Sequence, residues 1–436
     1  MSRRRYTVLL VSGTAMLLLL VGVAVVFLSR ARLPLETTAL RIGTGIVLVF
    51  LVLVIARYFG LLWLGFLHHL ESHRDSIESY TPPVTLIVPA YNEGAVIQSA
   101  IRSLLELDYP VYEVLVIDDG STDDTYARAA ELEGRYGGAT VRVVSKANAG
   151  KANALNTGIA LARTAYVVCM DGDSRLERGA LRYAMAHFAD ERVGGVAGNV
   201  KVVNRINLWT RLQALEYIEG LNMARRAQGL LRVVNIIPGP IGIFRRDVLA
   251  AVGGYDTDTF AEDADLTLKV LTAGWHIVYE DRAVAWTEAP ETLHNLIKQR
   301  YRWTRGILQA IRKRSLWPRS PRVGFAVMGS LHAMLFEAIV WPTLNVLGNL
   351  FFTIAALSAG AASFVLYWWI LLTLLDVAAA LHTVAMEEED LSLVPYAVAY
   401  RLFFTTLIDV AKLFATVEEF ANVRMTWGKL ERAGRL

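Results

Sequence analysis

Asp171 and Asp173 flank a glycine in "DGDS", directly after the apolar run "AYVVCM". At a strand end, the period of two puts both carboxylates on one side of the chain, and Gly172 permits a tight bend. Two carboxylates so placed suit a hard divalent cation, Mg2+ or Mn2+, which would also bind the oxygens of a diphosphate. A solvated turn explains the same letters, since D-G is a common turn dipeptide. Asp118 and Asp119, followed by Gly120, pose the same choice between a ligand site and a strand-to-helix turn capped by Ser121 or Thr122. Glu262 and Asp263 precede the helical pattern "ADLTLKV". Carboxylates there complement a helix N-terminus, or one of them acts as general base toward a hydroxyl. Upstream, "IIPGPIGIFRR" reads as a rigid close-approach turn or as a simple surface loop.

Further along, "QRYRW" sets Gln299, Arg300 and Arg302 among the rings of Tyr301 and Trp303. The surrounding "TLHNLIKQRYRWTRGILQAIRKR" predicts an amphipathic helix or helix pair lying at a membrane surface, its basic side toward anionic headgroups. Lipid attraction would not require the mixture of cations and rings. Guanidinium groups bind diphosphate oxygens, and an indole face stacks on the apolar face of a sugar ring.

These residues need elements to hold them. Short apolar runs, "TLIVP" (85–89), "EVLVID" (113–118), "VRVVS" (141–145) and "AYVVCMD" (165–171), alternate with helical patterns at Ala95 to Leu107, Asp123 to Tyr136 and Ala152 to Arg163. The alternation predicts a parallel sheet wrapped by helices, with ligands outside the carboxyl ends of the strands. Every one of those ends is polar: "AYNE", "DDGSTDD", "KANAGKAN" and "DGDS".

On either side of this globular region the chain changes character. A composition of 54% hydrophobic and 19% charged residues is too apolar for a purely soluble enzyme. Thr7 to Leu28 and Gly43 to Leu67 are long enough to span a bilayer, as are Val323 to Ala356, Phe364 to Val384 and Val394 to Leu413. That makes five spans, or six if Val323 to Ala361 divides into an interfacial helix and a short span, with Pro342 a kink or break. The organisation expected is two N-terminal transmembrane helices (1–80), a globular domain (81–290), amphipathic helices (291–322), C-terminal spans (323–417) and a polar tail (418–436). "SRRR" at residues 2–5 places the N-terminus and the central domain on the cytoplasmic side of the cytoplasmic membrane. The lone Cys169 suits a reducing compartment, and a net charge of +3 argues against a nucleic-acid partner.

The series "VPAYNE", "DDGSTDDT", "NAGKANALNTG", "DGD", "AED" and "QRYRW" resembles, in content and order, the membrane-embedded family-2 glycosyltransferases, among them the synthases of cellulose, chitin, hyaluronan and poly-N-acetylglucosamine. The resemblance covers residues 81 to about 310 and extends to the flanking spans. It implies an α/β GT-A (Rossmann-like) cytoplasmic domain inserted between N- and C-terminal transmembrane helices, and inverting transfer from a UDP-sugar to a growing polysaccharide. By position it implies that Tyr91, Glu93, Asp118, Asp119 and Lys151 contact the donor. Asp171 and Asp173 contact the nucleotide sugar and a Mg2+ or Mn2+ ion, Asp173 most directly. Asp263 is the implied base with Glu262 beside it, Gln299, Arg300 and Arg302 face the diphosphate, and Trp303 faces the acceptor sugar.

Two departures stand out. Ala261 replaces a threonine frequent in the family, so a supporting hydroxyl is missing, and "PGPIGIF" matches no subgroup. The overall pattern is nearest to poly-N-acetylglucosamine and chitin-oligosaccharide synthases, with hyaluronan or β-glucan synthesis, or single-sugar transfer to a lipid carrier, as alternatives. A non-catalytic nucleotide-sugar binder would have no use for the base. Membrane lipid and an accessory membrane or export subunit are the further partners expected. His332, Glu337, Asn345, Asn349, Asp376, Arg401 and Asp409 are candidates to line a path for polymer, or simply to bond helix to helix.

Overall fold

The computed structural model describes residues 3–30, 38–72, 80–314, 324–358 and 362–423. The segment joining the first two helices and the tail after Val423 lie outside the described residues, as does the last stretch before the C-terminal helices.

Two long apolar helices open the chain, α1 (Arg3–Arg30) and α2 (Thr38–Ser72). The globular region then begins with β1 (Val84–Ala90), α3 (Ile97–Leu105), β2 (Tyr112–Asp118) and α4 (Thr125–Ala130). It continues through β3 (Gly134–Tyr136), β4 (Ala139–Ser145), α5 (Lys151–Leu161), β5 (Tyr166–Cys169), β6 (Ser174–Leu176) and α6 (Ala180–Ala186). After β7 (Val193–Val202), a nearly continuous helical stretch runs from α7 (Leu208–Glu216) through a π-turn (Tyr217–Asn222) into α8 (Met223–Leu230). The domain closes with β8 (Gly242–Arg245), α9 (Arg246–Val252), α10 (Glu262–Thr272), β9 (His276–Thr287) and α11 (Leu293–Arg312).

The nine strands among the described residues form one sheet in the order β3-β4-β2-β1-β5-β8-β7-β9-β6. The half that carries β4, β2, β1 and β5 is parallel, as the alternating sequence pattern requires. The other half departs from the expected parallel sheet: β8 runs antiparallel to both β5 and β7, and β6 antiparallel to β9. The expected helix from Asp123 to Tyr136 also stops early, at Ala130. Gly134 (φ 150°) and Gly137 (φ 63°) take backbone conformations that favour glycine and fold the chain back as the β3–β4 hairpin.

Strand residues alternate between two cores. Leu86, Val88, Val114, Val116 and Val168 face one layer, while Ile87, Leu115, Ile117, Val167 and Cys169 face the other. Both faces are covered, so the strands read as unbroken apolar runs. A Cβ on Gly158 would lie 2.2 Å from the Ile87 side chain, and this close approach seats α5, with Lys151 at its N-terminus, over the strand ends.

The C-terminal helices are α12 (Phe325–Leu335), α13 (Trp341–Ser358), α14 (Ala362–Met386), α15 (Tyr396–Ala399) and α16 (Thr405–Phe420). The π-turn Phe336–Val340 joins α12 to α13 immediately before Pro342, so the helix continues through the proline where a break into two pieces was one expectation. Among the described residues, four stretches are long and apolar enough to cross a membrane: Val52–Glu71, Phe325–Ile354, Val365–Met386 and Leu391–Phe420. Val8–Leu20 of α1 is a shorter apolar helical stretch.

The helices and the sheet domain are joined by buried contacts. A Cβ on Gly65 of α2 would meet the Met223 sulfur at 2.4 Å. Arg226, 1% exposed, is paired with Asp281 at 2.9 Å and with Glu387 at 2.6 Å. Losing any one carboxylate there would leave a buried charge short of a partner.

Candidate active site

The first two strand-end loops are stitched to each other. Asn92, in the left-handed region at φ 52°, donates its N–H to Ser121 Oγ at 3.0 Å, and its side-chain oxygen accepts from Thr122 N at 2.8 Å. Glu93 N donates to Thr125 Oγ1 at 2.7 Å. Asn92 was not among the expected site residues, although asparagine's tolerance of positive φ was a signal for it. Tyr91 is partly exposed at the end of β1. Glu93 reaches toward the fourth loop, its carboxylate against Gly172, where a Cβ would lie 2.3 Å from it.

Asp118 and Asp119 are both buried and serve different ends. Asp118 accepts from Ser121 N at 3.3 Å and from Ser145 Oγ at 2.8 Å, closing the turn. Asp119 is spent on the loop after β4: it accepts from Lys146 Nζ at 2.5 Å, from Ala149 N at 3.1 Å and from Gly150 N at 2.7 Å. Its carboxylate therefore shapes the floor beneath Lys151, where a direct donor contact was expected.

Lys151 ties the central carboxylates together. Its Nζ is 2.6 Å from Asp171 Oδ1 and 2.6 Å from Glu262 Oε1, with Asp263 in electrostatic reach. These ion pairs hold the lysine charged, well above its ordinary range, against the cost of burial. Asp171 donates its backbone N–H to Gly239 O at 3.0 Å, and a Cβ on Gly239 would sit 2.8 Å from the Asp171 carboxylate. The "PGP" turn is thus a close-approach turn, one of the two readings the sequence left open. Asp173 is buried just beyond, at the start of β6.

Asp263 lies in the first turn of α10. Ala264 N donates to its Oδ1 at 2.8 Å, and Thr267 Oγ1 donates to its carbonyl at 2.6 Å. Burial, with Glu262 nearby, pushes its carboxyl up to about 6, against the opposing pull of Lys151. A carboxylate so tuned is poised to take a proton near neutral pH. Two residues before Ala261, Thr259 Oγ1 accepts from Ala261 N at 3.2 Å and donates to Gly306 O at 3.4 Å, fixing the loop to α11. On the other side of this loop, Asn156 of α5 clamps Tyr255, accepting from its N–H and donating to its carbonyl, each at 2.8 Å. Neither Thr259 nor Asn156 was expected from sequence.

The "QRYRW" segment lies within α11, whose N-cap Thr292 accepts from Asn295 N. Leu296, Gln299, Arg300, Thr304, Arg305, Leu308 and Ile311 of this helix are buried. Arg300 is buried; its guanidinium makes a two-pronged pair with Glu216, at 2.5 and 3.1 Å, and donates to Gln299 Oε1 at 2.5 Å. Arg300 thus braces α7 through Glu216, with Gln299 accepting from it. Tyr301 donates to Glu418 and Arg305 to Glu419 at 2.8 Å, fastening α11 to α16. Arg302 is half-buried, with its Nε shielded from solvent.

Trp303 carries the Arg300 guanidinium 4.3 Å from its ring and meets Tyr217 at a centroid separation of 6.4 Å. Helix α11 also packs against the loop that carries the acidic pair, Phe260 N donating to Gln309 Oε1 at 3.2 Å, while Lys151 joins Asp171 to Glu262. Among the described residues no cluster of three or more metal-ligating side chains occurs. Asp171 and Asp173 flank Gly172, on which a Cβ would lie 2.3 Å from Glu93 Oε2, and two carboxylates are the donor chemistry that would suit a cation completed by substrate phosphates and water.

This sheet, with polar loops gathered at the ends of its parallel strands and an acidic pair before α10, has the α/β architecture of GT-A-like glycosyltransferases. Residues 82–306 match the family described as "Glycosyltransferase like family 2", and the chain belongs to that family. It is 33% identical over 257 residues to a poly-beta-1,6-N-acetyl-D-glucosamine synthase of Staphylococcus epidermidis, covering 59% of this chain and 61% of the relative. To the synthase of the same name from Staphylococcus aureus strain COL it is 34% identical over 224 residues, 51% of this chain and 54% of the relative. The match thus spans little more than half the length of these curated relatives. Among solved structures, a mannosyltransferase from Pyrobaculum calidifontis, in complex with GDP-Man and Mn2+, shares the fold with a TM-score of 0.61. That likeness holds at 23% sequence identity over 88% of this chain and 100% of the other.

Proposed function

We propose that this protein is an inverting, processive glycosyltransferase of the cytoplasmic membrane, which moves N-acetylglucosamine from UDP-N-acetylglucosamine onto a growing β-linked polysaccharide and passes the polymer outward. The observation that carries the reading is the packing of α11, which bears Trp303, against the loop before Glu262 and Asp263, with Lys151 joining Glu262 to Asp171. The likeness to staphylococcal poly-beta-1,6-N-acetyl-D-glucosamine synthases supports the choice of sugar.

In this reading Asp263 accepts the proton of the acceptor hydroxyl as the acceptor oxygen bonds to the donor's anomeric carbon. The bond from that carbon to the diphosphate oxygen breaks, and UDP leaves with the electron pair. Inversion needs only one base and in-line attack, so alignment does most of the work. Trp303 stacks on the terminal acceptor sugar. Lys151 and Arg302 face the diphosphate, while Tyr91, Glu93 and Asp118 line the nucleotide side. Asp171 and Asp173 would hold Mg2+ or Mn2+, whose charge stabilises the departing diphosphate. Asp119, Gln299 and Arg300 act through the loops and helices that they hold.

For the polymer's path, the seven polar candidates divide. Asn345 donates to Asp409 at 2.6 Å, and Asn349 accepts from Trp368 Nε1 at 3.0 Å; both are buried helix-to-helix bonds. His332 bonds its own helix. Asp376, held by Arg401 and Tyr58, is a third buried helix-to-helix cluster. Glu337, paired with Arg57 at 2.6 Å, keeps a partly exposed side chain, and this pair is the one we assign to the polymer's path.

The test is incubation of the purified, detergent- or nanodisc-held protein with UDP-N-acetylglucosamine and Mg2+ or Mn2+, followed by sizing of the product. Long polymer supports the reading. Products extended by one sugar would point to transfer onto a lipid carrier, and turnover only with another UDP-sugar would point to hyaluronan or β-glucan synthesis.

A further inference from the structure

Arg225, in α8, belongs to no motif singled out in the sequence. It is 8% exposed, and its guanidinium is only partly committed. Nε donates to Ile236 O at 3.3 Å and Nη1 to Asn222 Oδ1 at 3.0 Å. Among the described residues Nη2 has no hydrogen bond, and no carboxylate lies within ion-pair distance of the side chain. A buried guanidinium short of an anion is costly, and arginine's fork of five donors leaves capacity to spare.

Its surroundings indicate what that capacity faces. Ile236 opens the turn that presses Gly239 against Asp171. The next residue, Ile237, donates its N–H to Thr267 Oγ1 at 2.9 Å, and the same hydroxyl donates to the carbonyl of Asp263 at 2.6 Å. Arg225 is therefore one hydrogen bond from a turn that touches both Asp171 and the base. Tyr279, then Tyr217, the ring that meets Trp303, and then Asp263 are within electrostatic reach of the guanidinium, in that order of strength. Asn222, which orients it, is itself fixed by donating to Val200 O at 2.9 Å.

We propose that Arg225 is an acceptor-recognition residue, whose uncommitted Nη2 donates a hydrogen bond to an oxygen of the acceptor's terminal sugar on the Asp263 side of the cleft. This rests on the sugar-transfer reading above. An arginine suits the task because the planar fork is held by two bonds and presents the third nitrogen in a fixed direction. A neutral sugar oxygen there lets the guanidinium regain part of its lost hydration without quenching the base.

The test compares wild type with Arg225→Lys and Arg225→Ala in nanodiscs, extending short β-linked N-acetylglucosamine oligosaccharides. Acceptor half-saturation and UDP binding by calorimetry are measured separately, with the thermal midpoint as a folding control. We expect half-saturation for acceptor to rise about tenfold or more in Arg225→Ala, less in Arg225→Lys, with UDP affinity within about twofold of wild type. An unchanged acceptor half-saturation in the folded lysine variant would overturn the proposal. So would parallel losses in acceptor and UDP affinity, because a residue that only braces the Ile236 turn would disturb both sides. Failure of the wild type to transfer any sugar would instead remove the underlying transferase reading.

Discussion

Gly306 of α11 lies directly against Ala261, the residue before the acidic pair: a Cβ added at Gly306 would meet the Ala261 backbone nitrogen at 2.5 Å. Two bonds reinforce the approach, from Thr259 Oγ1 to Gly306 O and from Phe260 N to Gln309 Oε1 at 3.2 Å. The helix that presents Trp303 and the loop that presents Asp263 are consequently one rigid assembly.

Gly306→Ala should therefore lower transfer by tenfold or more and destabilise the protein by ~1–3 kcal/mol, the usual cost of overpacking a filled contact. The obstacle is backbone, which cannot rotate away as a side-chain tip would. Initial rates and thermal midpoints of the variant check this; a fully active Gly306→Ala protein would show that the two elements move apart freely.

Asp263→Asn should reduce kcat on the order of 10²–10⁴-fold, the range for loss of a general base. Only the ionised carboxylate can take the proton, and burial pushes its pKa up from 3.8 to about 6. The kcat/KM of wild type should thus fall about tenfold per pH unit below that value and level off above it. Because the folded-state pKa is the higher one, stability is lost as pH rises from the unfolded value through the folded one. The asparagine variant, having no charge to bury, should keep or gain thermal stability at neutral pH. A pH–rate profile and a pair of melting curves decide both points.

Asp119→Ala should raise the half-saturation for donor more than it lowers kcat. Lys146 Nζ and the N–H groups of Ala149 and Gly150 lose their acceptor, at ~1–3 kcal/mol for unsatisfied groups, and the platform under Lys151 loosens. Steady-state kinetics against UDP-N-acetylglucosamine would show it. A pure kcat effect would mean that Asp119 touches the reacting atoms instead.

Trp303→Ala should uncouple donor cleavage from polymer growth. Loss of one aromatic stacking surface, about 1.5 kcal/mol or roughly tenfold in occupancy, shortens the product while UDP release to water persists. Comparing UDP release with product length on a gel separates these outcomes, and long polymer from the variant would exclude the stacking role.

Chelation with EDTA should abolish UDP-N-acetylglucosamine turnover, and added Mg2+ or Mn2+ should restore it. Asp173→Asn should need a higher cation concentration for the same rate, since one of two carboxylate donors is gone. A cation titration of both proteins is the measurement.

The parallel half of the fold was legible because β1, β2, β4 and β5 are buried on both faces and their apolar runs end in polar loops. Much less could be read of the antiparallel half. The four residues of β8 lie inside "PIGIFRR", where the sequence shows only a turn, and β9 carries Glu280, Asp281 and Arg282 in mid-strand. The site was legible as a set of residue types but not as a set of partners. Arg300 and Glu216 are 84 positions apart, and no spacing rule reveals that an arginine beside a tryptophan is already paired with a carboxylate on another helix. The partners of Asp119 were hidden for the same reason, two of them being backbone N–H groups of a loop whose path depends on the fold.

The fastening of α11 to α16 through Tyr301–Glu418 and Arg305–Glu419 also governs how the molecule can be dissected. Cutting out the sheet region alone would strip that helix of its outer support and leave Arg305 without a counter-charge. Any attempt to pare this protein down to the sheet region should yield a damaged protein, because the helix that presents Trp303 is held in place by residues more than a hundred positions further on.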